Sequence, residues 1–250
     1  MKKLLLATSC LVLCSPAVKA ADFPLQAKAP IVTVPVFSWT GCYVGAHVGG
    51  GTMTNTEGSV NGKGGVAGGQ GGCNYQDGNW VFGLEGEGYW SGIRTTQARS
   101  EIPNVLFDST STNSFTTKND NDFTIAARAG IAFDRTLIYG KGGWAWGAFK
   151  TSSFSVCCSV GDIPRTTFQS GTLDGFLVGA GIEHALTRNW TIKFEYNFIA
   201  FGAKELSITE CQGVCAVTGT NSISATKQIF KVGANYLFDI GGAAPLVARY

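Results

Sequence analysis

Residues 171 to 202 read GTLDGFLVGAGIEHALTRNWTIKFEYNFIAFG, two alternating runs on either side of the short polar turn Thr187, Arg188, Asn189. Every second residue of the first run gives Phe176, Val178, Ala180 and Ile182, and of the second Trp190, Ile192, Phe194, Tyr196 and Phe198. A period of two puts each set on one face of a strand. The other face carries Gly179, Gly181 and Glu183, then Thr191, Lys193, Glu195 and Asn197. Glycines and ionisable groups sit that closely only inside a narrow, hydrated lumen, so the apolar face meets lipid. Strands of about ten residues, apolar outward and polar inward, with aromatics at their ends, are the pattern of a transmembrane β-barrel.

Composition agrees with that reading. The 250 residues include 34 glycines and only 14% charged side chains, which argues against an ordinary helical enzyme. A formal charge of +2, with no Lys/Arg cluster after residue 3, excludes a nucleic-acid partner. No apolar run approaches the roughly 18 residues of a membrane helix. A chain that crosses a membrane without such helices must close a barrel, because an open sheet leaves backbone groups unpaired in lipid.

Lys2 and Lys3 precede the apolar run Leu4 to Leu13, and Val18-Lys19-Ala20 stands before Ala21, the layout of a cleaved secretory signal over residues 1–20. Leu13 is too bulky for lipoprotein processing at Cys14, and Cys10 leaves too short an apolar segment. Residues 21–38 hold Pro24, Pro30 and Pro35 without alternation and read as an extended periplasmic linker.

The alternation then recurs over 39–50, 64–76, 80–90, 122–133, 136–149 and 227–238, which with the opening pair predicts eight antiparallel strands in one all-β, up-and-down barrel over 39–238. Tight turns are expected at 77–79 and 134–135 as well as 187–189. The polar stretches 51–63, 91–120, 150–170 and 203–226 read as long loops. Short periplasmic turns alternating with long extracellular loops are the asymmetry of bacterial outer-membrane barrels. An even strand count returns the tail, 239–250, to the periplasm. Trp39, Trp80, Trp90, Trp190 and Tyr236 at strand ends read as interface girdles rather than sugar platforms.

With those residues in place the chain resembles the outer membrane immunogenic protein or opacity-like family of small Gram-negative barrels, a porin family. The resemblance is carried by Phe37-Ser-Trp-Thr-Gly-Cys-Tyr-Val-Gly, Asn79-Trp-Val-Phe-Gly-Leu-Glu-Gly-Glu, Phe133-Asp-Arg-Thr-Leu-Ile-Tyr, Gly179-Ala-Gly-Ile-Glu, Asn189-Trp-Thr-Ile-Lys-Phe-Glu-Tyr and Val232-Gly-Ala-Asn-Tyr-Leu-Phe. Such relatives usually end at the Phe of the last motif, whereas this chain runs on for twelve residues to Tyr250, and they tend to carry an aromatic where Cys42 sits. Either Phe238 or Tyr250 is then the residue read by the barrel-assembly machinery. The resemblance implies the outer membrane, with lipid and lipopolysaccharide around the barrel, loops outside the cell and termini in the periplasm. It speaks to location and fold more firmly than to mechanism.

Inward parity collects Glu85, Glu87, Arg128, Lys141, Glu183, Lys193, Glu195 and Lys231, four acids and four bases. Unpaired buried charge is very costly, so these groups are expected to pair with one another and with water. An ion pathway and a structural plug are the two readings, and the plug is favoured because eight strands leave a lumen just wide enough for side chains to fill. His47 falls inward and His184 outward, with no nucleophile, base and orienting acid at a catalytic spacing, so no enzyme, cofactor or metal site is expected. The expected role is envelope structure and surface display. A small diffusion porin passing solutes is one alternative; the other is a surface adhesin for a host surface, or a ligand-binding barrel, for which the family resemblance makes haem thinkable.

The periplasm is oxidising, so paired cysteines there tend to bridge. Cys157 and Cys158 in one long loop are expected to be tied to Cys211 and Cys215 in another, with separate local bridges (157 to 158, 211 to 215) as the alternative. Cys42 and Cys73 fall outward on neighbouring strands, as free thiols or a cross-strand bridge.

Overall fold

The computed structural model describes residues 37–55, 61–101, 111–156 and 163–238. The expected signal peptide (1–20), nearly all of the expected linker (21–38) and the tail (239–250) lie outside the described residues. The elements are β1 (Gly41–Asn55), β2 (Asn61–Asp77), β3 (Trp80–Ser91), β4 (Arg94–Glu101), β5 (Ser111–Phe133), β6 (Thr136–Val156), β7 (Arg165–Ala185), β8 (Trp190–Gln212) and β9 (Val214–Phe238).

All the strand pairings are antiparallel, and β1 pairs with β9 through Val44 opposite Tyr236, which closes the sheet. β4 adds no staves to the ring. Trp90 at the end of β3 faces Asn121 of β5, and Arg94 at the start of β4 faces Lys118 of the same strand. The chain steps aside only at Gly92 and Ile93, where Gly92 N–H donates to Gly65 O at 2.8 Å and Ile93 O accepts from Asn119 N–H at 3.2 Å. β3 and β4 therefore form one interrupted stave, and the barrel has eight.

One end carries the tight turns. Gly78 (φ 57°) and Asp134 (φ 52°) take the left-handed conformation there, which a two-residue hairpin with the right twist requires. In the third turn the Thr187 hydroxyl accepts from Asn189 N–H at 3.3 Å and Trp190 N–H at 3.0 Å. At the opposite end the stretches expected as loops are mostly paired strand. β1 and β2 persist to Asn55 and from Asn61, β4 and β5 make a hairpin within 91–120, β6 and β7 extend to Val156 and from Arg165, and β8 and β9 fill 203–226 but for Gly213. These Ser/Thr/Asn-rich segments have no continuous apolar face, since only single residues such as Met53, Ile93 and Leu206 reach the core. Their pairing rests on the ladder and on β-branched Thr, which leaves no alternating hydrophobic signal.

The two faces of the wall differ as the alternation requires. Val48, Leu84, Phe176, Phe194 and Phe230 stand exposed on the outside, while Tyr43, Glu85, Arg128, Leu177 and Lys193 are buried within. Trp39 is a correction: it is fully buried, closing the tight-turn end against Phe37, Val81 and Leu137 rather than joining an outer girdle. Its odd number gives it the inward parity of Tyr43. Trp80, Trp190 and Tyr236 do lie outside at that end, the last two ring to ring at 5.3 Å.

Candidate functional site

The side chains that face the lumen are layered. Above the Trp39 cluster come the predicted charges, drawn from β3, β5, β6, β7, β8 and β9. Glu85 is the hub. It receives Lys193 Nζ at 2.9 Å, Lys141 Nζ at 3.0 Å, Arg128 at 3.4 Å and the Tyr43 hydroxyl at 2.7 Å. Glu87 meets Lys231 at 2.6 Å and Lys141 at 3.3 Å, and Glu195 meets Lys141 at 2.8 Å and Lys231 at 2.9 Å. Arg128 reaches Glu183 at 2.7 Å, and Glu183 also accepts from Thr191 at 2.5 Å and Asn235 at 2.8 Å. All eight side chains are at most 1% accessible.

Desolvating eight charges is affordable only where each acid is surrounded by bases and each base by acids. The carboxylates of Glu85, Glu87 and Glu195 lie within 4.8 Å of one another, a spacing that would suit a metal if they were alone. The ammonium groups of Lys141, Lys193 and Lys231 are interleaved with them, so a cation would have to displace a lysine. Tyr139 gives its hydroxyl to Glu195 at 2.8 Å, and its ring lies under the Arg128 guanidinium at 4.3 Å. Room for these rings comes from inward glycines. A Cβ on Gly181 would come within 2.7 Å of the Tyr139 ring, and one on Gly72 within 2.7 Å of the Tyr43 hydroxyl.

Toward the hairpin end the filling changes to an apolar core that includes Met53, Ile93, Phe149, Leu177, Ile199 and Ile229. The sequence reading missed this core, having assigned the inner face to polar groups. Its signal was present as inward parity: Leu177 follows Gly179 and Gly181 backward along β7, and Ile199 follows Glu195 and Asn197 along β8. A second charge pair, also missed, is embedded here. Lys227 Nζ donates to Asp122 at 2.5 Å and to Asn119 at 2.7 Å, with the rings of Tyr89 and Phe201 about it at 5.8 and 5.9 Å. The two histidines do not share a site. His47 bonds Gln70 at 2.6 Å within the lumen, whereas His184 bonds Thr136 at 2.9 Å on the outer surface.

The cysteines depart from the expected clamp. Cys211 is joined to Cys215, its direct ladder partner across the Gly213 tip. The hairpin register sets these two directly opposite each other, and the local alternative holds for this pair. Cys157 and Cys158 lie outside the described residues. Cys42 and Cys73, opposite each other on β1 and β2, form the second bridge.

A closed antiparallel ring of eight staves, apolar on its outer face, defines a small outer-membrane β-barrel. Residues 11–238 match the family described as the outer membrane protein beta-barrel domain, and the chain belongs to that family. It is 32% identical to the 31 kDa outer-membrane immunogenic protein of Brucella melitensis, over 95% of this chain and 100% of that protein. It is 28% identical to the 22 kDa outer membrane protein of Rhizobium leguminosarum bv. viciae, over 72% of each. Among solved structures, the attachment invasion locus protein Ail of Yersinia pestis is similar at 13% identity and a TM-score of 0.39, covering 80% of this chain and 100% of Ail.

Proposed function

We propose that the protein is a closed outer-membrane barrel whose work is done outside the lumen, as an envelope component that displays paired hairpins at the cell surface. In this reading the tight turns and both termini face the periplasm, the β4–β5, β6–β7 and β8–β9 hairpins face outward, and Phe238 at the end of the closing strand is what the assembly machinery engages. The observation that carries it is the stacking of three fillings in one narrow bore: the Trp39 cluster, the interleaved charges and the Phe149–Ile199 core. A bore of eight strands has no width to spare beside such side chains. Neither a conduction path nor a catalytic role has a place in it.

Planar-bilayer recording of the refolded protein tests the reading. No steady conductance is expected. Steady conductance that disappears when Lys141 and Glu195 are replaced by larger apolar residues would instead support the small diffusion porin.

A second reading, ligand capture by the β8–β9 hairpin, is favoured by one observation. At the bridged tip Val214 and Val217 are 82% and 69% exposed, apolar side chains far beyond any lipid-facing surface. Deleting 207–222 should abolish host-surface binding with the barrel still folded if this reading is right.

A further inference from the structure

Beyond the tryptophans at the hairpin end, the outer wall carries a row of cations that no lumen function explains. Lys63 of β2 is the ladder partner of Arg94 of β4, Arg94 of Lys118 of β5, and Lys118 of Lys150 of β6. Four adjacent staves thus carry four bases in successive ladder register, and all four side chains are exposed. Lys118 reaches this face only because the register of β5 against β6 shifts between Asn119 and Asn121, which turns Asn119 inward. Like charges opposite one another on neighbouring strands destabilise a sheet. Among the described residues the row is answered by a single carboxylate, Asp120, which holds Lys150 at 2.6 Å.

The height of the row identifies what neutralises it. Arg94 is four residues beyond Trp90, and Lys150 four beyond Trp146. At about 3.3 Å per residue on strands tilted by about 40°, that is roughly 10 Å outward from the aromatic belt, at the headgroup region. Two residues further out, Thr96 faces Thr116 and Thr116 faces Ser152, so hydroxyls succeed the cations. Bases at headgroup depth backed by hydroxyls suit an anionic headgroup that is both phosphorylated and saccharide.

We propose that Lys63, Arg94, Lys118 and Lys150 form a binding site for the phosphate groups of a phosphorylated glycolipid of the outer leaflet, of the lipopolysaccharide class. The inference rests on the orientation proposed above, which puts this rim outside.

The test uses the full folded chain in detergent micelles, titrated with bis-phosphorylated lipid A, its dephosphorylated form, phosphatidylglycerol and inorganic phosphate. Lipid A should bind most tightly. The K63Q/R94Q/K118Q/K150Q variant should weaken it on the order of several hundredfold, taking roughly fivefold per cation at an anionic surface. The gel-mobility difference before and after boiling reports that the variant is folded, and R135Q/R188Q at the tight-turn end, which should bind as the unmodified chain does, shows the effect of removing two positive charges away from the row. A folded quadruple variant that still binds, indifference to the phosphates, or saturation by inorganic phosphate at comparable concentration overturns the site. Orientation is read separately, from antibody access on intact cells to an epitope inserted after Gly219. A hidden epitope overturns the orientation, and with it the choice of an outer-leaflet ligand, whatever the micelle result.

Discussion

The two halves of the lumen obey the same alternation and solve the same packing problem with opposite chemistry. Toward the tight turns, Glu85 is held by three cations and a tyrosine. Toward the hairpins, Leu177, Ile199 and Phe149 belong to an apolar core that holds a single charge pair, Lys227 with Asp122. The charged half is stable only as a set, since every member is a partner that others depend on. The apolar half is stable piece by piece, each side chain contributing its own burial. That difference predicts that damage spreads in one half and stays local in the other.

The sharpest way to break the comparison is Glu85→Gln. It leaves Lys141, Lys193 and Arg128 short of a counter-charge at once, and about 5 kcal/mol or more should be lost from folding in a urea titration, at the upper end of what breaking a buried pair costs. A loss as small as that of an ordinary surface change would mean water reaches this layer and the set is not closed. Next is the pair inside the apolar half. Lys227→Met should cost about 3–5 kcal/mol by stranding Asp122, while Lys227→Met with Asp122→Leu should recover most of that loss, because a buried pair exchanged for packed apolar groups is often neutral. Failure of the double variant to recover would give Asp122 partners beyond Lys227 and Asn119.

Leu177→Ala should cost about 3 kcal/mol, the price of a cavity in a packed core. Combined with Phe149→Ala its effect should add, whereas Glu85→Gln combined with Lys193→Met should fall well short of the sum, because contacting members of one network couple. The smallest effect is expected at the rim. Cys215→Ser opens a loop so short that about 2 kcal/mol is at stake in the chain-entropy model. That loss falls on the hairpin tip, so the barrel's unfolding midpoint should not move, and a shift would mean the hairpin and the ring unfold together.

The ring was legible in the sequence because lipid imposes a strict rule on every second residue, and Phe194, Phe230 and Val48 state it without reference to neighbours. The inward charges were legible by the same parity. Asp122 and Lys227 share that parity with Arg128 and Lys231 yet were passed over, since they stand at the edges of the stretches read as strands, where apolar alternation fades. The hairpins beyond the membrane were read as loops for the same cause: backbone pairing among Thr, Ser and Asn needs no hydrophobic pattern.

The sequence by itself determined the barrel class, the eight staves and the face of nearly every residue within them, because a period of two is a local property. Only the tertiary structure decided which residues meet. Glu85 and Lys193 are 108 positions apart, the Cys211–Cys215 bridge follows from the β8–β9 register, and the alignment of Lys118 with Arg94 and Lys150 depends on a one-residue shift near Asn119. Register and closure are set by the pairing of distant strands around the whole ring, and no window along the chain contains that information.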